Sequence, residues 1–496
     1  MRSPRFVALA ALLVAATVVL VRSGSGQAGT PVALILWGGT VVTMDAGGQV
    51  FPSGAVVIDA DRIVDVGPAE ELLRKYSATT RIDTRGQIVL PGLVNTHTHA
   101  PMVLFRGVAD DLALMDWLND YIFPAERMVS PDFVRVGTRL AALEMIESGT
   151  TTFADMYYFE DDIAEATREA GLRGVLGQSV IQFPVADAPT PADALARAEA
   201  FITRWKADPL VTPAVAPHSP YTLDAGSLQA ARALADAHHV PLLIHLAETQ
   251  AEVDIVRQAH GMTPAAYLDS LGLWNGPAVA AHGVWLDDAD LTMLAARGVG
   301  LSHNPESNMK LASGIAAVPK WIAHGIHAGL GTDGAASNND LDMFEAMLFT
   351  ALLHKVATGD PQAMPAPLVL EMATRRGAEA LGLGDRIGSL TPGKQADVIT
   401  VTTENARMTP MFDPISHLVY VAHGDDVRNV IVAGRIIMRD RLVQTLDRDA
   451  VLRDARTMAE RVRAVVADVH AGRAGSAGEP APATGAATGG SGGGGR

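Results

Sequence analysis

Ile88-Val89-Leu90-Pro91-Gly92-Leu93-Val94-Asn95-Thr96-His97-Thr98-His99 is an apolar run that ends in two imidazoles one residue apart. In an extended segment side chains alternate with a period of two, so His97 and His99 point to the same face. Both rings can then reach one metal ion. A His-x-His pair alone is common on solvated strands. Its weight depends on what the rest of the chain places at the ends of similar segments.

Such segments recur. Leu93–His99 is followed by Thr150–Met156, Gly174–Val180, Thr212–Pro217, Pro241–Leu246, Ala278–His282, Val299–His303 and His327–Gly331, each leading into a helix-length stretch. Ser130-Pro131 offers a helix cap and a first-turn proline, and Gly149 offers a stop. About eight βα units predict a TIM (β/α)8 barrel over residues 91–384, with a doubly wound parallel sheet as the alternative. In a barrel the chemistry sits at the C-terminal ends of the strands. The first strand ends in His97 and His99, the fourth in His218, and the fifth in His245 with Glu248 three residues on. The sixth ends in His282, the seventh in His303 and Asn304, and the eighth leads to Asp333. Polar groups converging on one mouth would repel or stay unsatisfied without an ion or substrate between them. Three imidazoles and a carboxylate suit one divalent metal ion and leave a position for water. His97, His99, His245 and Asp333 are therefore the expected ligands. Zinc is the expected ion, and the donor set also admits iron or manganese.

Both chain ends read differently from the middle. Residues 32–90 read as short strands and turns, with apolar strands punctuated by Gly and Asp between Ala33 and Val66, and the pattern returns at Asp397–Val401 and Val427–Ile436. These predict one composite β-sandwich domain built from residues 29–90 and 385–470, closed by a helix from Asp449 to about Asp468. Residues 471–496 are rich in Gly and Ala, and a disordered tail without catalytic role is expected. At the other end, Arg2 and Arg5 precede the apolar run from Phe6 to Val21, followed by Arg22 and small residues through Ala28. That order is the pattern of a signal peptide, or of an N-terminal anchor if uncleaved, so residues 1–28 predict an exported chain. Membrane contact is expected only through that segment. The chain has no cysteine, which excludes thiolate ligands, a Cys nucleophile and disulfides. A net charge of −16 argues against nucleic acid as a partner. The sequence is compatible with a homo-oligomer.

Pro91–His99, His245-Leu246-Ala247-Glu248, Ser302-His303-Asn304-Pro305 and Gly331-Thr332-Asp333-Gly334-Ala335-Ala336-Ser337-Asn338-Asn339 resemble the amidohydrolase superfamily. Within it the chain resembles the deaminases of 5′-methylthioadenosine and S-adenosylhomocysteine, which are related to triazine chlorohydrolases. The resemblance covers about residues 32–440. It implies a TIM barrel with a composite β-sandwich. Relatives with two metals bridge them with a modified Lys at the end of the fourth strand, where this chain has Pro217-His218-Ser219, so one metal is expected.

The roles that follow are expectations. A bound metal lowers the pKa of its water. Asp333 accepts the water proton, and His282 orients the nucleophile or steadies the developing oxyanion. Glu248 delivers a proton to a ring nitrogen, N1 in a purine, while C6 is attacked. By resemblance Glu126 accepts hydrogen bonds from the ribose hydroxyls, Trp117 walls the pocket, and His218 contacts substrate. His303 is expected at the substrate or, with Asn304, supporting the metal site. Some relatives hold the amino-acid carboxylate of S-adenosylhomocysteine with an Arg after the third strand, and Gln178 occupies that slot here. That weakens the case for a charged tail. The expected substrate is a small aminated heterocycle, foremost an adenine nucleoside. The alternatives are another heterocycle (a pterin, guanine or triazine) and, least favoured, a non-catalytic binding protein.

Overall fold

The computed structural model describes residues 29–476. The apolar run at residues 6–21, on which the export expectation rests, lies outside them. No helix among the described residues is long and apolar enough to cross a membrane.

The barrel closes in chain order from eight parallel strands. They are Leu93–Thr98, Thr150–Tyr157, Arg173–Val180, Val211–Pro217, Leu242–Leu246, Ala278–His282, Gly300–His303 and Ala328–Leu330, the last pairing back to the first through Leu330 and Asn95. The second and third strands are buried at every position, as a parallel sheet covered on both faces requires. Inward-facing Val94, Val175, Leu243 and Val279 form one cluster with Leu381, Leu383 and Ile387, which plug the barrel floor. The strands' C-terminal ends remain as the open mouth. Helix Pro131–Glu147 starts where Ser130 Oγ accepts from the Phe133 amide at 3.3 Å.

The two chain ends build a pair of packed sheets. One has four strands in the order Arg62–Pro68, Gly54–Asp59, Thr30–Trp37, Tyr76–Asp83. The other has seven: Leu442–Val443, Arg435–Arg439, Val427–Val432, Val398–Thr402, Gln87–Pro91, Thr40–Val42 and Val50–Phe51. Leu34, Leu36, Val56 and Ile58 of the first pack on Val89, Val398 and Ile431 of the second. Ala433 and Gly434 both have positive φ, 47° and 74°, as a two-residue hairpin demands. Strand Tyr76–Asp83 escapes sequence reading because it is an edge strand in which only Tyr76 and Ile82 are buried.

Gly92 is the joint between sandwich and barrel. A side chain there would meet Thr151 Oγ1 at 2.1 Å, so only glycine allows the approach. A second joint is the buried pair Arg173–Asp397, whose two contacts measure 3.0 and 3.1 Å. Asp397 Oδ1 also accepts from the Ala433 amide at 2.7 Å, so neither charge is left unsatisfied. The last helix spans Arg448–Ser476, longer than expected, and lies along Pro131–Glu147. The expected tail is thus helical through Ser476, where the helix continues past Gly472 and Gly475. The rest of that tail lies outside the described residues.

Candidate metal centre and substrate cavity

The mouth of the barrel gathers the predicted residues. His99 Nδ1 donates to the Met156 carbonyl at 2.7 Å, and His245 Nδ1 donates to the His218 carbonyl at 2.8 Å. With those protons committed, both Nε2 atoms carry lone pairs, yet they face each other at 3.2 Å. Two lone pairs so close repel unless a cation lies between them. His97 Nε2 is buried with no hydrogen-bond partner, and Asp333 Oδ1 lies 3.4 Å from it and 3.3 Å from His99 Nε2. An orphaned imidazole, two opposed lone pairs and a carboxylate fit a divalent cation held by His97, His99, His245 and Asp333. Backbone carbonyls behind two of the rings fix their tautomer and orientation.

Asp333 and His282 both take left-handed backbone, φ 62° and 76°, which costs energy and aims the side chains inward. Asp333 is steadied further by Ser307 Oγ, which donates to its Oδ2 at 2.7 Å, and by the Gly334 amide at 2.7 Å. His282 Nδ1 is held by Asn308 Oδ1 at 2.9 Å. Its Nε2 faces Glu248 Oε2 at 3.7 Å and Asp333 Oδ2 at 3.9 Å. The backbone of Glu248 is pinned in turn: Glu252 accepts from the amides of Ala247 and Glu248, both at 2.8 Å.

The two buried carboxyls of this mouth are driven apart. Burial, with the charge of Asp333 nearby, holds Glu248 well above the usual carboxylate range. Burial opposes ionisation of Asp333 too, but the neighbouring His97, His99 and His282 rings outweigh it and hold it well below that range. Burial also lowers His97 to about 4 and His218 to about 3, which keeps both neutral at physiological pH.

A cavity of about 630 Å³, counting its open mouth, runs from this cluster outward. His218, Glu248, His282 and Asp333 line one end, and Trp117 and Glu126 line the other. Trp117 Nε1 is buried without a hydrogen-bond partner. Glu126 accepts from the Tyr157 hydroxyl at 2.8 Å and the Tyr158 hydroxyl at 3.3 Å. Burial outweighs these bonds and raises its carboxyl to about 7.

Two expectations are corrected. His303 is fully buried but does not line the cavity. Ser302 points into the barrel and bonds Thr96 Oγ1, so the alternation of the strand sends His303 outward, to His354 at 3.3 Å and edge-on to Trp321. Asn304, by contrast, reaches His282 Nδ1 at 3.3 Å. Gln178 is turned away from the cavity for the same reason: Ser179 lines it, while the Gln178 amide donates to Asp187 at 2.9 Å. Sequence reasoning missed Tyr157, Tyr158, Ser307, Asn308 and Glu252. The strand-end rule that found the histidines also points to Tyr157, which ends the second strand, and to Tyr158, which follows it.

Known proteins share this frame. The pattern of the Amidohydrolase family matches residues 88–437, and that of the Imidazolonepropionase-like composite domain of bacteria matches residues 54–76. A 5-methylthioadenosine/S-adenosylhomocysteine deaminase of Syntrophobacter fumaroxidans is 50% identical over 430 residues, 87% of this chain and 98% of that protein. A 5′-deoxyadenosine deaminase of Methanothermobacter thermautotrophicus is 46% identical over 409 residues, 82% of this chain and 94% of that one. The crystal structure of an adenosine deaminase from Xanthomonas campestris with bound zinc superposes with a TM-score of 0.86 at 38% identity, covering 88% of this chain and all of that one. With barrel, composite sandwich and histidine-rich mouth in common with such relatives, this chain belongs to the Amidohydrolase family.

Proposed function

We propose that the chain is a metal-dependent aminohydrolase that converts an adenine nucleoside (adenosine, methylthioadenosine or S-adenosylhomocysteine) to the inosine analogue and ammonia. The observation that carries this reading is the geometry of one cavity, where Glu248 Oε2 and Asp333 Oδ2 lie 3.7 and 3.9 Å from His282 Nε2 beside the ligand set, with burial driving the Glu248 carboxyl up and the histidine rings driving that of Asp333 down despite its burial. Titratable groups driven apart by their surroundings are how a site assigns its acid and its base. The relatives, deaminases of adenosine and its 5′-modified forms by name, point to the same class of substrate.

A divalent ion held by His97, His99, His245 and Asp333, with zinc favoured, would supply an acidified water near neutral pH. Asp333 takes a proton from the attacking water, and His282 Nε2 accepts a hydrogen bond that keeps the oxygen aimed at the ring. Glu248 gives its proton to N1, which leaves C6 electron-poor. The C6–O bond forms first. The proton on Asp333 then passes to the amine as the C6–N bond breaks, the C6 hydroxyl gives up its remaining proton to restore Glu248 as it becomes the carbonyl, and ammonia leaves with N1 keeping its proton. At the far end Glu126 accepts from both ribose hydroxyls, since a carboxylate keeps acceptor sites beyond those taken by Tyr157 and Tyr158. Trp117 Nε1 is a free donor toward substrate, and His218 lines the wall at the metal end.

The test is ammonia release by the zinc-loaded protein from a panel of adenine nucleosides, pterins and triazines. Turnover of the nucleosides is expected, with a loss of about 10²- to 10⁴-fold in Glu248→Gln. Absence of nucleoside turnover, or full activity of that variant, ends the reading. The proposal includes export, supported by the basic, apolar, small order of residues 1–28. Cell fractionation that leaves the protein in the cytoplasm with Met1 intact refutes that part.

A further inference from the structure

The second barrel strand buries a carboxylate where a covered parallel strand ordinarily carries an apolar side chain. Ala154 and Met156 of that strand pack inside the barrel with Val94 and Val175. Asp155 between them therefore points outward, into the layer between strands and helices. It is fully buried there. Burying a carboxylate costs free energy that hydrogen bonds must offset. Those bonds all go to one short stretch of chain. Asp155 Oδ1 accepts from the Ala100 amide at 2.5 Å and lies 2.8 Å from Thr98 Oγ1, which shares its proton with the Ala154 carbonyl, also at 2.8 Å. Thr98 and Ala100 are the two neighbours of His99. Asp155 Oδ2 has no hydrogen-bond partner among the described residues.

The first strand is irregular at this point. Asn95 pairs with Phe153 and Thr98 with Asp155, so Thr96 and His97 together oppose Ala154 alone, as in a β-bulge. The bulge shifts the alternation by one. Val94 and Thr96 face inward before it, and His97 and His99 face inward after it. The pair Thr98–Asp155 is the last of this ladder. Beyond it the Met156 carbonyl takes the ring proton of His99 at 2.7 Å, and the Ala100 amide turns to the Asp155 side chain. Ring and backbone of His99 are thus held by two consecutive residues. Of the three imidazoles assigned to the ion, His97 and His245 stand within strands, and His99 lies just past the end of one.

We propose that Asp155 is a positioning residue for the metal centre: its carboxylate clamps the chain on both sides of His99 and so aims Nε2 of that ring at the ion. The inference rests on the ligand set assigned above. A bulge releases the strand end from its ladder, and one oxygen that accepts from both flanks of the ligand replaces the lost restraint.

The experiment measures zinc affinity by competition with a chelator, and the visible absorption of the cobalt(II)-loaded protein. It compares the unaltered chain with Asp155→Asn, Thr98→Val and, as a control on the same strand, Thr152→Val, whose buried hydroxyl has no partner. Asp155→Asn is expected to weaken zinc binding by about 10- to 100-fold and to alter the cobalt spectrum. Thr98→Val should act in the same direction by a smaller factor, and Thr152→Val should change neither. A folded Asp155→Asn protein with unchanged affinity and spectrum overturns the clamp. An equal loss in Thr152→Val overturns it too, since any change in the strand would then suffice. If Asp155→Asn does not fold, Thr98→Val decides, and an unchanged affinity and spectrum there refutes the proposal. If the unaltered protein takes up neither zinc nor cobalt, the ligand set itself falls and the clamp with it.

Discussion

His97, His245 and His282 stand on barrel strands, while His99 and Asp333 follow directly after the first and the last of the eight. Trp117 and Glu126 stand instead on a run of short turns, Leu114–Trp117, Leu118–Ile122 and Phe123–Glu126, inserted before the helix Pro131–Glu147. The metal end draws its residues from several strands, so each is held by the closure of the whole barrel. It is also where left-handed backbone is tolerated, at His282 and Asp333. The other end of the cavity, where the proposal seats the ribose, is one contiguous segment leaning on Tyr157 and Tyr158. The chemistry therefore belongs to the frame, and recognition belongs to an attachment that can vary without disturbing the frame.

This contrast breaks first if the metal end tolerates change. Asp333→Asn removes both ligand and base, and activity should drop by about 10⁴-fold or more, with zinc content falling in parallel by atomic absorption. Chelation of the unaltered protein should abolish turnover and lower Tm, since an ion that binds only the folded state stabilises it. Retained activity in the metal-free protein contradicts the assignment. Ser307→Ala, which frees Asp333 Oδ2, should weaken metal affinity by about 10- to 100-fold without altering substrate preference.

Smaller effects belong to the other end. Glu126→Gln should raise KM for nucleosides about tenfold while kcat changes little, the signature of lost binding common to ground and transition states. A fall in kcat alone would move Glu126 into the chemistry. The smallest effect is one of pH. Burial raises the Glu126 carboxyl to about 7, so below that pH it is protonated and loses an acceptor for the diol. KM for adenosine should fall as pH rises through about 7, and the step should vanish in Glu126→Gln. A KM step that persists in the variant assigns the titration elsewhere.

The same contrast explains what was legible in the sequence. Strand-end histidines were readable because the period of two and the repeat of βα units fix where they point. His303 and Gln178 misled because each needs that alternation applied at its own position: Ser302 and Ser179 face inward, and their neighbours cannot. Tyr157 and Tyr158 sit on Glu126 across a gap in sequence that no local pattern spans. Nor does any local pattern mark the Gln178–Asp187 bond, which is made between a strand and a loop. Strand Tyr76–Asp83 lay hidden because, of its inward positions, only Tyr76 and Ile82 carry large apolar side chains, with the small Ala78 and polar Thr80 between them.

The sandwich also sets an order of events as the chain leaves the ribosome. Pro91 pairs with Val398, on the far side of the entire barrel. The four-stranded sheet, drawn wholly from the first strands, can close early. Its apolar face, with Leu34, Leu36, Val56 and Ile58, must then wait for Val398 and Ile431 to be synthesised. Throughout that interval the nascent protein carries an uncovered adhesive surface, the kind that chaperones hold and aggregates exploit. A ribosome stalled anywhere within the barrel would release a fragment with half a sandwich, and the barrel cannot be excised from the gene without leaving the same unfinished half behind.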